Sequence, residues 1–127
     1  MTSGVGKFRQ YRGKQQNKKG QFMAEFNNVT ISSVANIYFN GQVTSRKVTF
    51  ADGSIKTLGI MMPGEYTFST AEKELMEIQQ GTVSVLLPES DTWQTFTANQ
   101  AFNVPANASF DIKVSELADY CCSYITE

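Results

Sequence analysis

Three observations predict an all-β fold, a sandwich or barrel of short strands, for this chain of 127 residues. First, apolar and polar side chains alternate in short runs, with Val83, Val85 and Leu87 in one and Phe110, Ile112 and Val114 in another. Period two is the signature of a strand with one buried face. Second, turn-forming pairs such as Asn40-Gly41, Asp52-Gly53 and Pro63-Gly64 punctuate the chain. They space the runs roughly every 8–12 residues, as in sandwiches and barrels. Third, no stretch sustains a helical stripe. The one helix candidate, residues 70–80, is flanked by strand patterns and reads as a loop followed by a strand.

Taken in order, residues 1–22 are polar and basic, with Lys7, Arg9, Arg12, Lys14, Lys18 and Lys19 and no acid. Such a composition cannot bury enough apolar surface to fold alone. It reads as a disordered basic tail or a mis-assigned start, with Met23 as the alternative first residue. The competing reading is an RNA-binding arm, because Arg and aromatic residues interleave there. Residues 23–127 are the right length for a single domain with one core.

The hairpin signal Asn40-Gly41 sits within Tyr38 to Val43. Val48 to Phe50 forms a short strand that ends at the Asp52-Gly53 turn. From Thr57 to Met62, the alternation places Leu58, Ile60 and Met62 on one face. The run from Pro63 to Glu74 opens on a turn and carries Tyr66, Phe68 and Thr70 on one side before the carboxylate of Glu74. It continues through Met76 and Ile78 to a turn at Gly81. A face combining aromatic, hydroxyl and carboxylate groups suits a pocket lining, because charged side chains are seldom buried unless paired or functional. The alternative is an amphipathic strand with one half-buried glutamate. A strand at Val83–Leu87 follows, then a turn at residues 88–91 and a strand at Trp93–Thr97. After a turn at Asn99-Gln100 come Ala101–Pro105, a turn at residues 106–108, a strand at Ser109–Ser115 and a closing strand at Tyr120–Ile125.

Composition narrows the function. The net charge is −1, but residues 23–127 hold five basic against twelve acidic residues. An acidic domain is a poor nucleic-acid binder. No stretch approaches the ~20 apolar residues that span a bilayer, and no signal peptide is visible. The expectation is a soluble cytoplasmic protein without a membrane partner. Cys121 and Cys122 are adjacent, so a strand directs them to opposite faces and a disulfide between them would be strained. They read as reduced and structural. The chain has no histidine, which removes the commonest metal ligand and the commonest general base.

Two resemblances follow from these residues. Glu74, six residues on to Gly81, resembles the second half of the first cupin signature, with Phe68 and Thr70 where cupins carry metal-binding histidines. Asn99, Pro105, Asn107 and Phe110 occupy the places of the second signature, Phe110 again replacing a histidine. The cupin resemblance implies a double-stranded β-barrel (a jelly roll). Of the usual metal ligands only Glu74 is kept, and one carboxylate beside phenyl rings does not make a transition-metal site. No metal and no cofactor are therefore expected, and the rings suit stacking against a planar ligand.

The run Ile60-Met61-Met62-Pro63-Gly64-Glu65-Tyr66-Thr67-Phe68-Ser69-Thr70-Ala71-Glu72 is similar to the hallmark run of the pyrimidine/purine nucleoside phosphorylase family. Tyr38-Phe39-Asn40-Gly41, Asp91 with Trp93, Phe102-Asn103-Val104-Pro105 and Tyr120-Cys121-Cys122 with Tyr124 match further pieces of it. This resemblance covers about residues 36–125. It implies metal-independent phosphorolysis of purine and pyrimidine nucleosides to free base and ribose 1-phosphate, a pentosyl transfer to phosphate by a glycosyltransferase. The partners would be nucleosides and inorganic phosphate, and cupin pairing through barrel edges implies a homodimer. The competing class is a non-enzymatic, metal-free cupin that holds a small planar or sugar ligand.

Cleaving an N-glycosidic bond builds positive charge on the sugar, so the site needs a carboxylate nearby. The expected catalytic group is Glu74, with Glu65 as the alternative carboxylate. Phe68 and Phe110 are expected to flank the base, and Tyr66, Thr70 and Asn103 to exchange hydrogen bonds with substrate. Each has a structural alternative, the rings as barrel core and Asn103 as a turn amide. The phosphate-binding group stays open among Arg46, Lys47, Lys56, Lys73 and backbone amides near Ser69 and Thr70. Lys113 alternates away from the interior.

Overall fold

The structure, a computed structural model, describes residues 25–126. Expectations for the basic tail and the start at Met23 lie outside the described residues. Among the described residues, nine strands form one hydrogen-bonded network: β1 (Thr30–Ile31), β2 (Asn36–Tyr38), β3 (Val43–Thr49), β4 (Ile55–Met61), β5 (Gly64–Ser69), β6 (Lys73–Leu86), β7 (Gln94–Thr97), β8 (Gln100–Val104) and β9 (Ser109–Ile125). All pairings are antiparallel. The all-β prediction holds, and residues 70–80 are a short loop followed by strand β6, as expected.

Two long strands convert this network into two facing layers. In the first layer β1 and β2 lie along the free edge of β3, followed by β4, the second half of β9, the first half of β6, and β8. In the second, the first half of β9 lies between β5 and the far half of β6, with β7 outside β6. The layers meet through Phe102, whose ring is 6.1 Å from Phe110 and 4.8 Å from Phe96. The core also includes Met61, Ile78, Val83, Val85, Val104 and Ile112.

The turns follow their sequence signals. Between β2 and β3, Phe39, Asn40 and Gly41 all adopt positive φ, closing the hairpin at the predicted Asn-Gly pair. The Asp52-Gly53 turn joins β3 to β4. Asp52 Oδ1 accepts the Ser54 N–H at 2.8 Å and its hydroxyl at 2.6 Å, bonds that hold the Asp52 carboxyl below its ordinary range.

Three expectations need correction. Gly81 is not a turn, because β6 runs straight through it with register shifts between Ile78 and Val83. There φ is +97°, and a Cβ would stand 2.2 Å from the Leu117 carbonyl oxygen. A glycine lets the strand bend between layers while a neighbouring backbone approaches closely. The expected strands at Ser109–Ser115 and Tyr120–Ile125 are one strand, β9, which bends in the same way. The apolar face that alternation marks on β4 is not the buried one: Ile60 and Met62 are exposed, while Thr57 and Met61 are buried. The cause is register. Thr57 and Met61 pair with buried Cys122 and Ala118 of β9, and Gly59 sits between them where any side chain would collide with Thr44. Alternation identifies two faces, but only the neighbouring strands decide which one is buried.

Candidate active site

Strand β6 brings Glu74 to the interior. Met76 and Ile78 alternate with it and are buried, and Glu74 lies opposite Val104 of β8 and Tyr124 of β9. Period two therefore directs its carboxylate inward at a half-buried position. Burial pushes the Glu74 carboxyl above its ordinary value, the Cys122 thiol counters this by donating a hydrogen bond to it, and Glu72 adds to the rise.

Three groups on β9 share this interior face, Tyr120, Cys122 and Tyr124, and Thr57 of β4 joins them. Tyr124 OH lies 3.4 Å from Thr57 Oγ1 and also bonds Cys122. Tyr120 OH donates to the Thr44 carbonyl at 3.1 Å. Burial raises the Cys122 thiol and both tyrosine hydroxyls well above their usual values, with smaller contributions from the Glu74 charge. Cys121, on the opposite face, is pushed up to about 11, again first by burial. Both thiols are free and buried. Cys122 stands diagonally beside Glu74 on the shared interior face.

On the second layer, Phe68 and Phe110 are cross-strand partners with ring centres 5.7 Å apart. Phe39, from the β2–β3 hairpin, packs edge-on to Phe68 at 5.5 Å and lies 5.0 Å from Tyr66. A continuous aromatic wall therefore runs from Phe39 through Phe68, Phe110 and Phe102 to Phe96.

Of the other expected site residues, Tyr66 stands beside the aromatic wall, and Thr70, Asn103 and Glu65 lie elsewhere. Tyr66 is buried and its hydroxyl donates to the Met62 carbonyl at 2.6 Å. The Thr70 hydroxyl donates to the Pro105 carbonyl at 2.7 Å and accepts the Ala108 N–H, while its own N–H donates to the Ala108 carbonyl. Thr70 thus staples two loops together, and its amide is already occupied. Asn103 is exposed and pairs with Leu75, facing away from Glu74. Glu65 is exposed opposite Lys113 on the outside of the second layer, because β5 is regular there. It lines a groove of about 350 Å³ with Thr67, Trp93, Asp111 and Lys113. In that groove Lys113 Nζ sits 4.2 Å from the centre of the Trp93 ring, and the Thr67 hydroxyl donates to Asp111 at 2.6 Å. Lys56 is likewise on an outer face, near the rings of Phe26 and Phe50.

Residues 33–124 match the family model described as pyrimidine/purine nucleoside phosphorylase. The chain belongs to that family. A pyrimidine/purine nucleoside phosphorylase of Syntrophotalea carbinolica is 60% identical over 103 residues, 81% of this chain and 99% of that one. The same-named protein of Colwellia psychrerythraea is 57% identical over 104 residues, 82% of this chain and 100% of that one. Among solved structures, an Acinetobacter protein of unknown function superposes with TM-score 0.79 at 39% identity, covering 81% of this chain and all of the other. An RmlC-like cupin from Shewanella frigidimarina superposes with TM-score 0.58 at 14% identity, over 87% and 92% of the two chains. That likeness shows the fold alone, and the fold is the predicted cupin-type double-stranded β-barrel.

For this member of the pyrimidine/purine nucleoside phosphorylase family, the structure places the expected Glu74 and the rings on the interior faces of their strands, and it sets Thr57, Cys122 and Tyr124, which sequence reasoning did not single out, on the same interior face as Glu74. A signal was present. Tyr120, Cys122 and Tyr124 alternate on one face of the closing strand, and three polar or polarisable groups there are too many for a plain core. Among the described residues, no group of three or more His, Cys, Asp or Glu side chains is placed to hold a metal ion.

Proposed function

We propose that the chain is a nucleoside phosphorylase whose reaction takes place in the barrel interior at Glu74. Inorganic phosphate attacks the anomeric carbon of a purine or pyrimidine nucleoside. A phosphate oxygen forms a bond to C1′ and the C1′–N bond breaks. The electron pair leaves with the base, which takes up a proton, and ribose 1-phosphate remains. The reaction is a pentosyl transfer and is proposed to need no metal ion.

One observation carries this reading: a half-buried carboxylate, Glu74, faces the interior of a barrel whose opposite layer is walled with aromatic rings. A carboxylate in a partly dry site stabilises an oxocarbenium-like sugar far better than one in water. Phe68 and Phe110 offer apolar surface to a planar base. The committed hydroxyls of Tyr66 and Thr70 support the site by fixing β5 and the loop after it. Glu65 and Asn103, turned outward, are left out of the chemistry.

The test is release of free base from uridine and from inosine, with and without phosphate, in the presence of a chelator. Phosphate-dependent, chelator-resistant release of both uracil and hypoxanthine is the expected result. No release of either base by folded protein overturns the reading.

A further inference from the structure

The polar groups facing the first layer's interior touch one another. Their neighbours are apolar, with Met61, Met76, Ile78, Phe102 and Val104 all buried. Across the middle of that layer, Thr57 of β4 pairs with Cys122 of β9, which pairs with Met76 of β6. Two residues along β9, Tyr124 pairs with Glu74. Residues i and i+2 share a face of a strand, so Cys122 and Tyr124 stand side by side there. A line of contacts results. Thr57 Oγ1 meets Tyr124 OH at 3.4 Å, Tyr124 OH donates to Cys122 Sγ, and the Cys122 S–H donates to the Glu74 carboxylate. Packing alone does not call for this line. Aliphatic side chains would fill the same space without the cost of burying a hydroxyl and a thiol. The line ends on the one carboxylate that faces the interior from β6.

We propose that Cys122 and Tyr124, set beside Glu74 by the register of β9 on β6, are positioning residues that fix its carboxylate in one orientation. This rests on the phosphorylase reading given above. The groups around Glu74 are Cys122, Tyr124 and Tyr120 from β9 and Glu72 from the segment before β6, with Thr57 of β4 reaching Tyr124. Tyr38 of β2 acts on Tyr120, and β8 contributes only Val104 and Phe102. Of these, only Cys122 donates to the carboxylate, while Glu72 opposes its charge.

Cys122→Ala removes the donor, and Cys122→Ser keeps one in nearly the same volume. The full chain of each is compared with the unsubstituted protein in phosphate-dependent uracil release from uridine across pH. With the donor gone, the carboxylate is harder to ionise, so the acid limb of kcat moves to higher pH. On that limb kcat falls about tenfold, the size of one hydrogen bond to a charged group. Cys122→Ser returns the limb to its original position, and Tyr124→Phe moves it in the same direction as Cys122→Ala but less. A thiol that only packs would lower the melting temperature of Cys122→Ala and leave the limb in place.

A second readout needs no turnover. In protein labelled with 13C-glutamate, the Glu74 side-chain carboxyl carbon, assigned by its loss in Glu74→Gln, is followed through its titration. Its midpoint rises in Cys122→Ala and recovers in Cys122→Ser. If the unsubstituted protein is active and Cys122→Ala stays folded, yet neither limb nor midpoint moves, the positioning role is overturned. If the unsubstituted protein releases no base, the phosphorylase reading fails, and the carboxyl midpoint still decides whether Cys122 positions Glu74.

Discussion

Glu65 and Glu74 lie nine residues apart in one run of sequence, and they end in opposite surroundings. Glu65 stands on the outside of the second layer, in a wet groove with Lys113, Asp111 and Trp93. Glu74 stands inside, half-buried, against Cys122 and Tyr124. The outer groove is arranged for solvation, with its cation over a ring and its hydroxyl on a carboxylate, so each charge is met by a neighbour or by water. The interior leaves a carboxylate partly dry, with burial raising it and one thiol as its donor. Residue type does not separate these two glutamates, but the face of the strand does.

The two carboxylates should differ most. Glu74→Gln should lower kcat/KM for phosphorolysis on the order of 10²–10³-fold, the usual cost of removing one electrostatic stabiliser of a transition state. Glu65→Gln should leave kcat/KM within about twofold, with stability changed by less than ~0.5 kcal/mol. Equal losses from both substitutions would end the distinction drawn here. Steady-state kinetics with uridine decides.

The same contrast applies to the rings. Phe110→Ala removes an interior ring 4% exposed and should cost about 3–5 kcal/mol in urea unfolding. Trp93→Ala removes a ring 38% exposed. It should cost about 0.5–1 kcal/mol, mainly the lost contact with Lys113. A larger loss at Trp93 than at Phe110 would mean that the outer groove, not the interior, holds the fold together.

A third difference is in pH. Folding raises the Glu74 carboxyl above its unfolded value, so in the window between the two values the folded chain binds more protons than the unfolded one. Glu74 therefore favours the fold when protonated, below that window, and disfavours it as pH rises through the folded value. Glu74→Gln should accordingly melt higher than the unsubstituted protein at neutral pH, with the gap closing in acid, while activity is lost. Glu65→Gln should show no such pH-dependent gap. Melting curves from about pH 4 to 8 test this, and a Glu74→Gln protein no more stable at neutral pH contradicts it.

Much of this molecule was legible in its sequence. Period-two runs and turn pairs identified an all-β chain, and the run from Ile60 to Glu72 pointed to the family. Asn40-Gly41 and Asp52-Gly53 turn where their dihedral preferences require, because φ preference is a property of the local chain. That Glu74, Phe68 and Phe110 face inward was legible because each lies on the alternating face of its own strand. What tertiary structure alone decided was which faces meet. Thr57, Cys122 and Glu74 come from strands far apart in the chain, and only the register of β4 on β9 and of β9 on β6 sets them side by side. The same register turned Ile60 and Met62 outward and merged the strands on either side of Gly81 into one bent β6. Alternation within a strand has a two-fold ambiguity of face, and burial against other strands, a property of the whole barrel, is what resolves it.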